Sequence, residues 1–509
     1  MGTLRQFLLL LLVLISLQVS AAEQYNVRTY GASGDGKTLD SDAINKAIEA
    51  AAKQGGGTVF FPAGTYLSYS IRLKSHISLY LDQGATILAA EPKGDVGYDA
   101  PEPAVNDKYQ DFGHSHWRNS LIWGENLEDI SILGPGTIYG KGLTRGGPYR
   151  APIGNKAIAL KLCRNVILKD FTILYGGHFG ILATGVDNLT VDNLKMDTNR
   201  DGIDVDACKN VRISNCTINS PWDDAICLKS SYALGYARAT ENVTITNCQV
   251  SGFDRGTLYN GTYLRNEPHL VPDHEGPTGR IKFGTESNGG FKNITISNCV
   301  FDYCRGLALE TVDGGLLEDV TITNVTMRDL INSPLFLRLG ARMRGPEGTP
   351  VGKLRRITIS NLNVYNADSH FSSLITGLPD HPIEDITLKD IRIYYRPMDS
   401  AATQIPKMVP ENEKVYPEPA KFGIIPAYGF FIRHAKNVYL DNVELWFLGK
   451  ETRPAFILDD VDGIELNNVE AQKAEKAPLL MLKNVTDISV SGSASLKNMK
   501  KKKVKEKHF

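Results

Sequence analysis

Residues 210–218 read NVRISNCTI. Val211 and Ile213 alternate with Arg212 and Ser214, the two-residue period of a half-buried strand. Asn215 breaks the run as a turn residue, and Cys216 and Ile218 open a second short strand. The phrase recurs as NVILKDFTI from 165, NLTVDNLKM from 188, NVTITNCQV from 242, NITISNCVF from 293 and DVTITNVTM from 319. Weaker copies follow at 356, 385, 437, 463 and 487. The spacing is roughly 22–26 residues, stretched where loops intervene. No copy could bury its apolar face alone, so the copies must stack as a solenoid. Short β-branched strands without intervening helices predict an all-β, right-handed parallel β-helix. Each coil should rise by about 4.8 Å.

A solenoid exposes an unpaired edge at each end. Residues 40–53, DSDAINKAIEAAAK, place apolar residues at 43, 44, 47, 48 and 51. That is helical spacing, with Asp40 or Ser41 as N-cap. An amphipathic helix should therefore plug the N-terminal end. The expected organisation is a signal peptide (1–22), a cap with the first coils (23–90), a β-helix with loop insertions (91–496) and a basic disordered tail (497–509).

The chain opens with Arg5, the apolar run FLLLLLVLISL and the small residues Ser20-Ala21-Ala22. This is a secretory signal pattern, too short for a membrane span. No cysteine follows the cleavage site, which argues against a lipid anchor there. Export to the periplasm or beyond is expected, without a membrane anchor and as a monomer. Of the seven cysteines, Cys216, Cys248 and Cys299 occupy one repeat position, which predicts stacked buried thiols rather than disulfides. The net charge of −1 combines a lysine-rich tail, KKKKVKEKHF, with a body of roughly −7, which gives no footprint for nucleic acid. Asn-X-Thr sequons at Asn188, Asn215, Asn242 and Asn293 fall on the repeat turn and read as its by-products.

Chemistry enters at NRDGIDVDACKNVRISNCTINSPWDDAICLKS, residues 199–230. Asp201 and Asp223 lie one coil apart, and Asp224 is adjacent. Stacked carboxylates repel, which holds a proton on the group near neutral pH. A held proton beside ionised carboxylates suits glycoside hydrolysis, with one acid and one base. Asp204 and Asp206 read as turn residues. Two other readings are a β-eliminating lyase, which would need calcium, and a non-catalytic carbohydrate-binding β-helix. Loops at 90–118, 251–280, 338–350 and 396–424 break the period. The first three carry aromatic or basic residues suited to a sugar acid and the last is proline-rich, and either of the first two could wall one end of a groove.

The chain resembles glycoside hydrolase family 28, the polygalacturonase family, over essentially its mature length. YGASGDGKTLDSDAINKAI and GIDVDACKNV are similar to its exo-acting bacterial members. The family's Asn-Thr-Asp-Gly stands as Asn199-Arg200-Asp201-Gly202, and its Asp-Asp pair as Asp223-Asp224. The resemblance implies Asp223 as general acid, Asp201 and Asp224 as activators of water, inversion of configuration, no cofactor and no metal. Its implied substrate is pectic polysaccharide. Two motifs depart. Gly-His-Gly is replaced by Thr278-Gly279-Arg280, leaving His269 or His274 as replacement. Arg-Ile-Lys, which grips the substrate carboxylate, is replaced by Ala308-Leu309-Glu310. Glu310 should repel galacturonate. Lys229, Arg280, Lys282 and Arg338 are the candidate grips, with Asn199 beside them. The expected substrate is thus rhamnogalacturonan-like or branched pectin, attacked from its end.

Overall fold

A computed structural model describes residues 24–103, 105–110, 114–147, 150–266, 276–398, 405–406 and 408–509. The expected signal peptide, His269 and His274 lie outside them. The described chain is a parallel β-helix of three strands per coil. One coil runs through Lys195–Asp197, Asp201–Asp206 and Lys209–Ser214, and the next through Thr217–Asn219, Ile226–Ser230 and Thr240–Thr246. From Phe291–Asp302 onward the third strand of one coil and the first of the next fuse into a single longer strand.

The repeat's residues explain the coil. Inward positions align by register: Ile213 on Ile245, Ile245 on Ile296, Ile296 on Ile322 and Ile322 on Ile359. All five are buried. Each buried isoleucine contributes about 1.5–3 kcal/mol. The turn asparagines sit at the corners with positive φ, 55° at Asn188 and 56° at Asn210. Asparagine tolerates this left-handed geometry. Its amide then bonds the amide one coil away, Asn210 Nδ2 to Asn188 Oδ1 at 3.2 Å and Asn242 Nδ2 to Asn210 Oδ1 at 3.0 Å. The sequon asparagines therefore serve as corner ladders. All seven cysteines are buried and free.

Helix Ser41–Lys53 buries Ala43, Ile44, Ala47, Ile48 and Ala51, as the spacing predicts. Its capping differs. Asp40 makes no cap bond and instead accepts from Ser33 N at 2.7 Å and Gly34 N at 3.0 Å. The C-terminal end corrects a second expectation. The lysine-rich segment is a strand, Met499–His508, antiparallel to Leu480–Ser491. Val504 is buried opposite Val485, and Met499 and Phe509 pack on the core. The charge run hid those three apolar anchors. Its lysines face solvent and discourage further pairing at the edge. No helix among the described residues is long and apolar enough to cross a membrane.

Candidate active site

Asp201 opens strand Asp201–Asp206, and Asp223 and Asp224 lie in the turn before Ile226–Ser230. The register pairs Ile203 with Ile226, and Gly202 N donates to Asp224 O at 2.9 Å. Asp224, not Asp223, therefore continues the rung of Asp201. One oxygen from each of the three carboxylates lies within 4.8 Å of the others. This is closer than the ~6.5–9.5 Å expected of an inverting pair. The cause is local: two aspartates are consecutive, and the third is one inter-strand spacing away.

Arg200, where the resemblance expects threonine, reaches Asp223 Oδ2 at 2.8 Å and Asp201 Oδ2 at 3.7 Å. It also contacts the His178 ring, whose Nδ1 meets Arg145 O. Burial, helped by Arg200, pushes the His178 pKa well below its usual value, so the ring stays neutral. Burial, Asp204 and Asp223 push the Asp201 carboxyl well above the usual range. The Asp223 side chain is 14% exposed, against 3% for Asp201 and 2% for Asp224. Asp223 is thus the most exposed of the three carboxyls. The spacing would also suit a divalent ion, but Arg200, Arg280 and Lys282 already pair with these carboxylates and oppose one.

The predicted grip residues are placed otherwise than expected. Arg280 pairs with Asp224 at 2.9 Å and Glu418 at 3.0 Å. Lys282 lies 3.5 Å from Asp224, 3.7 Å from Glu310 and 3.2 Å from the Tyr416 hydroxyl. Glu310 is fully buried between these two cations, which offset its charge. It is no bare repulsive carboxylate in an open pocket, and the expectation built on that picture is corrected. Burial still dominates and pushes its pKa up to about 7. Arg338 spends its donors on Thr376, Gly377 O, Glu411 O and Asn412 O, so it anchors a loop. Asn199 turns a buried side-chain oxygen that no described residue hydrogen-bonds.

Asp204 is also corrected. It lies mid-strand and fully buried, 3.8 Å from Lys229 and 3.6 Å from His114. Lys229 lies 3.5 Å from Glu286 as well. Burial works against the Lys229 charge, but Asp204 and its neighbours outweigh it and hold the pKa well above usual. Asp206 comes nearer its expected role, accepting Ser231 N at 2.7 Å and Ser231 Oγ at 2.6 Å just after Ile226–Ser230.

Two loops pack against the coils that carry the cluster. On one side His114 packs on Phe179, and Trp117 Nε1 donates to Thr184 Oγ1 at 3.0 Å. On the other, Tyr416 and Glu418 reach in from the 405–424 segment, which sequence reading marked only as proline-rich. Arg433 fixes that segment through Val409 O and Pro410 O, both at 2.8 Å. Glu418 also bonds Arg305 at 2.8 Å and Asn332 at 3.2 Å. Sequence reasoning missed Glu418, Tyr416, His178 and Trp222. Glu418, Tyr416 and His178 lie on other coils or in loops, with no motif to mark them, while Trp222 stands directly before the Asp223-Asp224 pair and was passed over. Arg200 was visible as a departure from Asn-Thr-Asp but was given no role.

The comparisons agree with this architecture. The family model for rhamnogalacturonase A/epimerase, pectate lyase-like, matches residues 24–117, and that for a right-handed β-helix region matches 152–271. A probable polygalacturonase of Vitis vinifera is 26% identical over 75% of this chain and 77% of its own. Plasmin and fibronectin-binding protein A of Streptococcus pneumoniae is 38% identical, but over only 33% of this chain and 23% of its own. The structure of a family 28 exopolygalacturonase from Yersinia enterocolitica superposes with a TM-score of 0.56 at 19% identity, covering 93% of this chain and 78% of that one. With the Asp201 and Asp223-Asp224 motifs in place on this fold, the chain is a right-handed parallel β-helix similar to polygalacturonases.

Proposed function

We propose that the protein is an exported, exo-acting glycoside hydrolase that inverts configuration on rhamnogalacturonan-like or branched pectin. Pectin degradation by glycosidic hydrolysis is the coarser statement, and the polygalacturonase relatives carry it. The convergence of Asp201, Asp223 and Asp224 within 4.8 Å carries the acid–base chemistry, while inversion rests on the resemblance of the motifs to family 28 and not on the spacing, which is closer than an inverting pair needs. Asp223 gives its proton to the glycosidic oxygen as the bond to the anomeric carbon breaks. Asp201 and Asp224 take a proton from water, whose oxygen bonds to that carbon.

The exo reading rests on the two walls. Trp117 and His114 on one side, and Tyr416 and Glu418 on the other, favour a pocket over an open groove. The substrate reading rests on charge. On the wall beside Asp224, Arg280 and Lys282 are matched by Glu310 and Glu418, which suits a neutral sugar there. The first family model, whose description names rhamnogalacturonase A, supports the same reading.

The test resolves products by length during digestion of pectic polymers. The proposal expects steady release of one short product while polymer length falls slowly. An early ladder of internal fragments would remove the exo claim. Proton NMR of the first product should show the inverted anomer; a retained anomer would remove the water-activating roles of Asp201 and Asp224.

A further inference from the structure

The coils of the carboxylate cluster are not the only place where charge gathers. Strand Met499–His508 carries six lysines in ten residues and lies antiparallel on Leu480–Ser491. The two strands together hold seven lysines against two acids, Asp487 and Glu506. Lys483 pairs with Asp459 at 3.1 Å, and the Lys507 ammonium lies 4.8 Å from the Phe509 ring centroid. Lys500, Lys501, Lys502, Lys503 and Lys505 are exposed, and no described residue hydrogen-bonds their side chains or forms an ion pair with them.

Such a row costs stability. Alternate residues of a strand lie about 7 Å apart, inside the ~8 Å screening length at physiological salt, so the ammoniums repel one another. Protection of an edge strand does not require so dense a row. The row is also held in place. Val504 is buried opposite Val485, Met499 packs on the core, and Phe509 N donates to Leu480 O at 2.9 Å. A ligand therefore meets a preformed array and need not order it.

Fixed ammoniums without partners are complementary to a polyanion. Val504, Met499 and Phe509 turn to the core, so the strand keeps no apolar side chain to enter a bilayer. Its shape favours a chain over a surface. Ten residues of strand make a line of about 34 Å, and an extended polyuronate carries one carboxylate per sugar along a line.

We infer that the lysine strand is a docking site for an extended polyuronate, separate from the carboxylate cluster. That the docked chain is also the substrate rests on the pectic-hydrolase reading. About nine inter-strand spacings, roughly 43 Å, separate this strand from Asp201–Asp206 along the solenoid. A polymer long enough to reach both places is held near the cluster by the lysines, which raises its effective concentration there. A four-sugar fragment reaches only one of them.

The test measures binding of the full chain to polygalacturonate, fully methyl-esterified pectin, vesicles of anionic phospholipid and duplex DNA. The variant combines Lys500→Gln, Lys502→Gln, Lys503→Gln and Lys505→Gln. Wild type should bind polygalacturonate with an affinity that falls as salt rises, and should bind the uncharged ester far more weakly. The glutamine variant should lose at least about tenfold on polygalacturonate. Arginine at the same four positions should keep the binding, because charge is what is read. Equal affinity of wild type and glutamine variant for polygalacturonate, or binding that ignores salt, would overturn the docking site. Tighter binding to vesicles or DNA than to polygalacturonate would overturn the polyuronate as its occupant. Rates separate docking from chemistry. The glutamine variant should lower kcat/KM on a long pectic polymer at least about threefold and leave a four-sugar fragment unchanged. Equal losses on polymer and fragment would overturn the tethering role. Lysine-dependent binding by a protein that cleaves neither would leave the docking site standing and remove the hydrolase reading.

Discussion

The two flanks of the carboxylate cluster differ in what their cations are committed to. Beside Asp224, Arg280, Lys282 and Arg305 face Asp224, Glu310 and Glu418, all buried. Beside Asp223, Arg200 meets the carboxylate while Arg145 and Arg255 stack on Trp222. The first flank is a wall of buried ion pairs, and the second sets two guanidiniums against the Trp222 indole next to the more exposed aspartate. A cation near an active site is therefore not a grip merely by being there. Its partners decide whether it holds the protein or a substrate.

The largest effect should come at the more exposed aspartate. Asp223→Asn should keep the fold and lose about 10²–10⁴-fold in kcat on a natural glycoside. The loss should shrink on a substrate with an activated synthetic leaving group, which needs less protonation. Steady-state rates on both substrates measure this, and near-full activity on the natural one would remove Asp223 as the acid.

The flank of ion pairs should respond in stability. Glu418→Ala leaves Arg280 and Arg305 buried with a partner missing, which should cost about 3–5 kcal/mol. Denaturant unfolding reads it. A change below about 1 kcal/mol would mean that this wall is not held by its ion pairs.

A smaller, pH-dependent effect should follow from Glu310. Its folded pKa of about 7 is raised above the ordinary 4.5, chiefly by burial, so the folded state binds the proton more tightly. The associated stability is full below about pH 4.5 and is lost as pH rises through 7. Glu310→Gln carries no such charge. Its melting temperature relative to wild type should therefore climb between pH 4.5 and 7 and then level off. A pH-independent difference would contradict the assignment.

The smallest effect belongs to the corners, far from either flank. Asn210→Ala removes one rung amide and favours a left-handed turn less. It should cost about 1 kcal/mol and leave activity unchanged.

How much of this was legible depended on the range of the cause. The solenoid was legible because its cause is local and repeated: Val211, Ile213 and Asn215 tell the same story in every coil. The convergence of the three aspartates was legible because they sit in one short stretch with motif spacing. Their register was one residue off, since the turn at Asp223-Asp224 sets it rather than the count. Asp204 was misread because nothing in DGIDVD distinguishes a buried mid-strand carboxylate from a turn residue. Glu418 and Tyr416 were illegible. They lie over a hundred positions from Arg280 and Lys282 in sequence, and only a loop crossing the coils brings them together. The tail was misread because six lysines outweighed Val504 and Phe509 in composition, although those two decide where it packs.

The account stands most directly on hydrolysis at this cluster. The measurement is digestion of a pectic oligosaccharide panel in heavy-oxygen water, with products read by mass and by ultraviolet absorbance. The account predicts one heavy oxygen at the new reducing end for each bond cleaved, and no unsaturated product. Ultraviolet-absorbing product without heavy oxygen, or binding with no cleavage of any panel member, would contradict it.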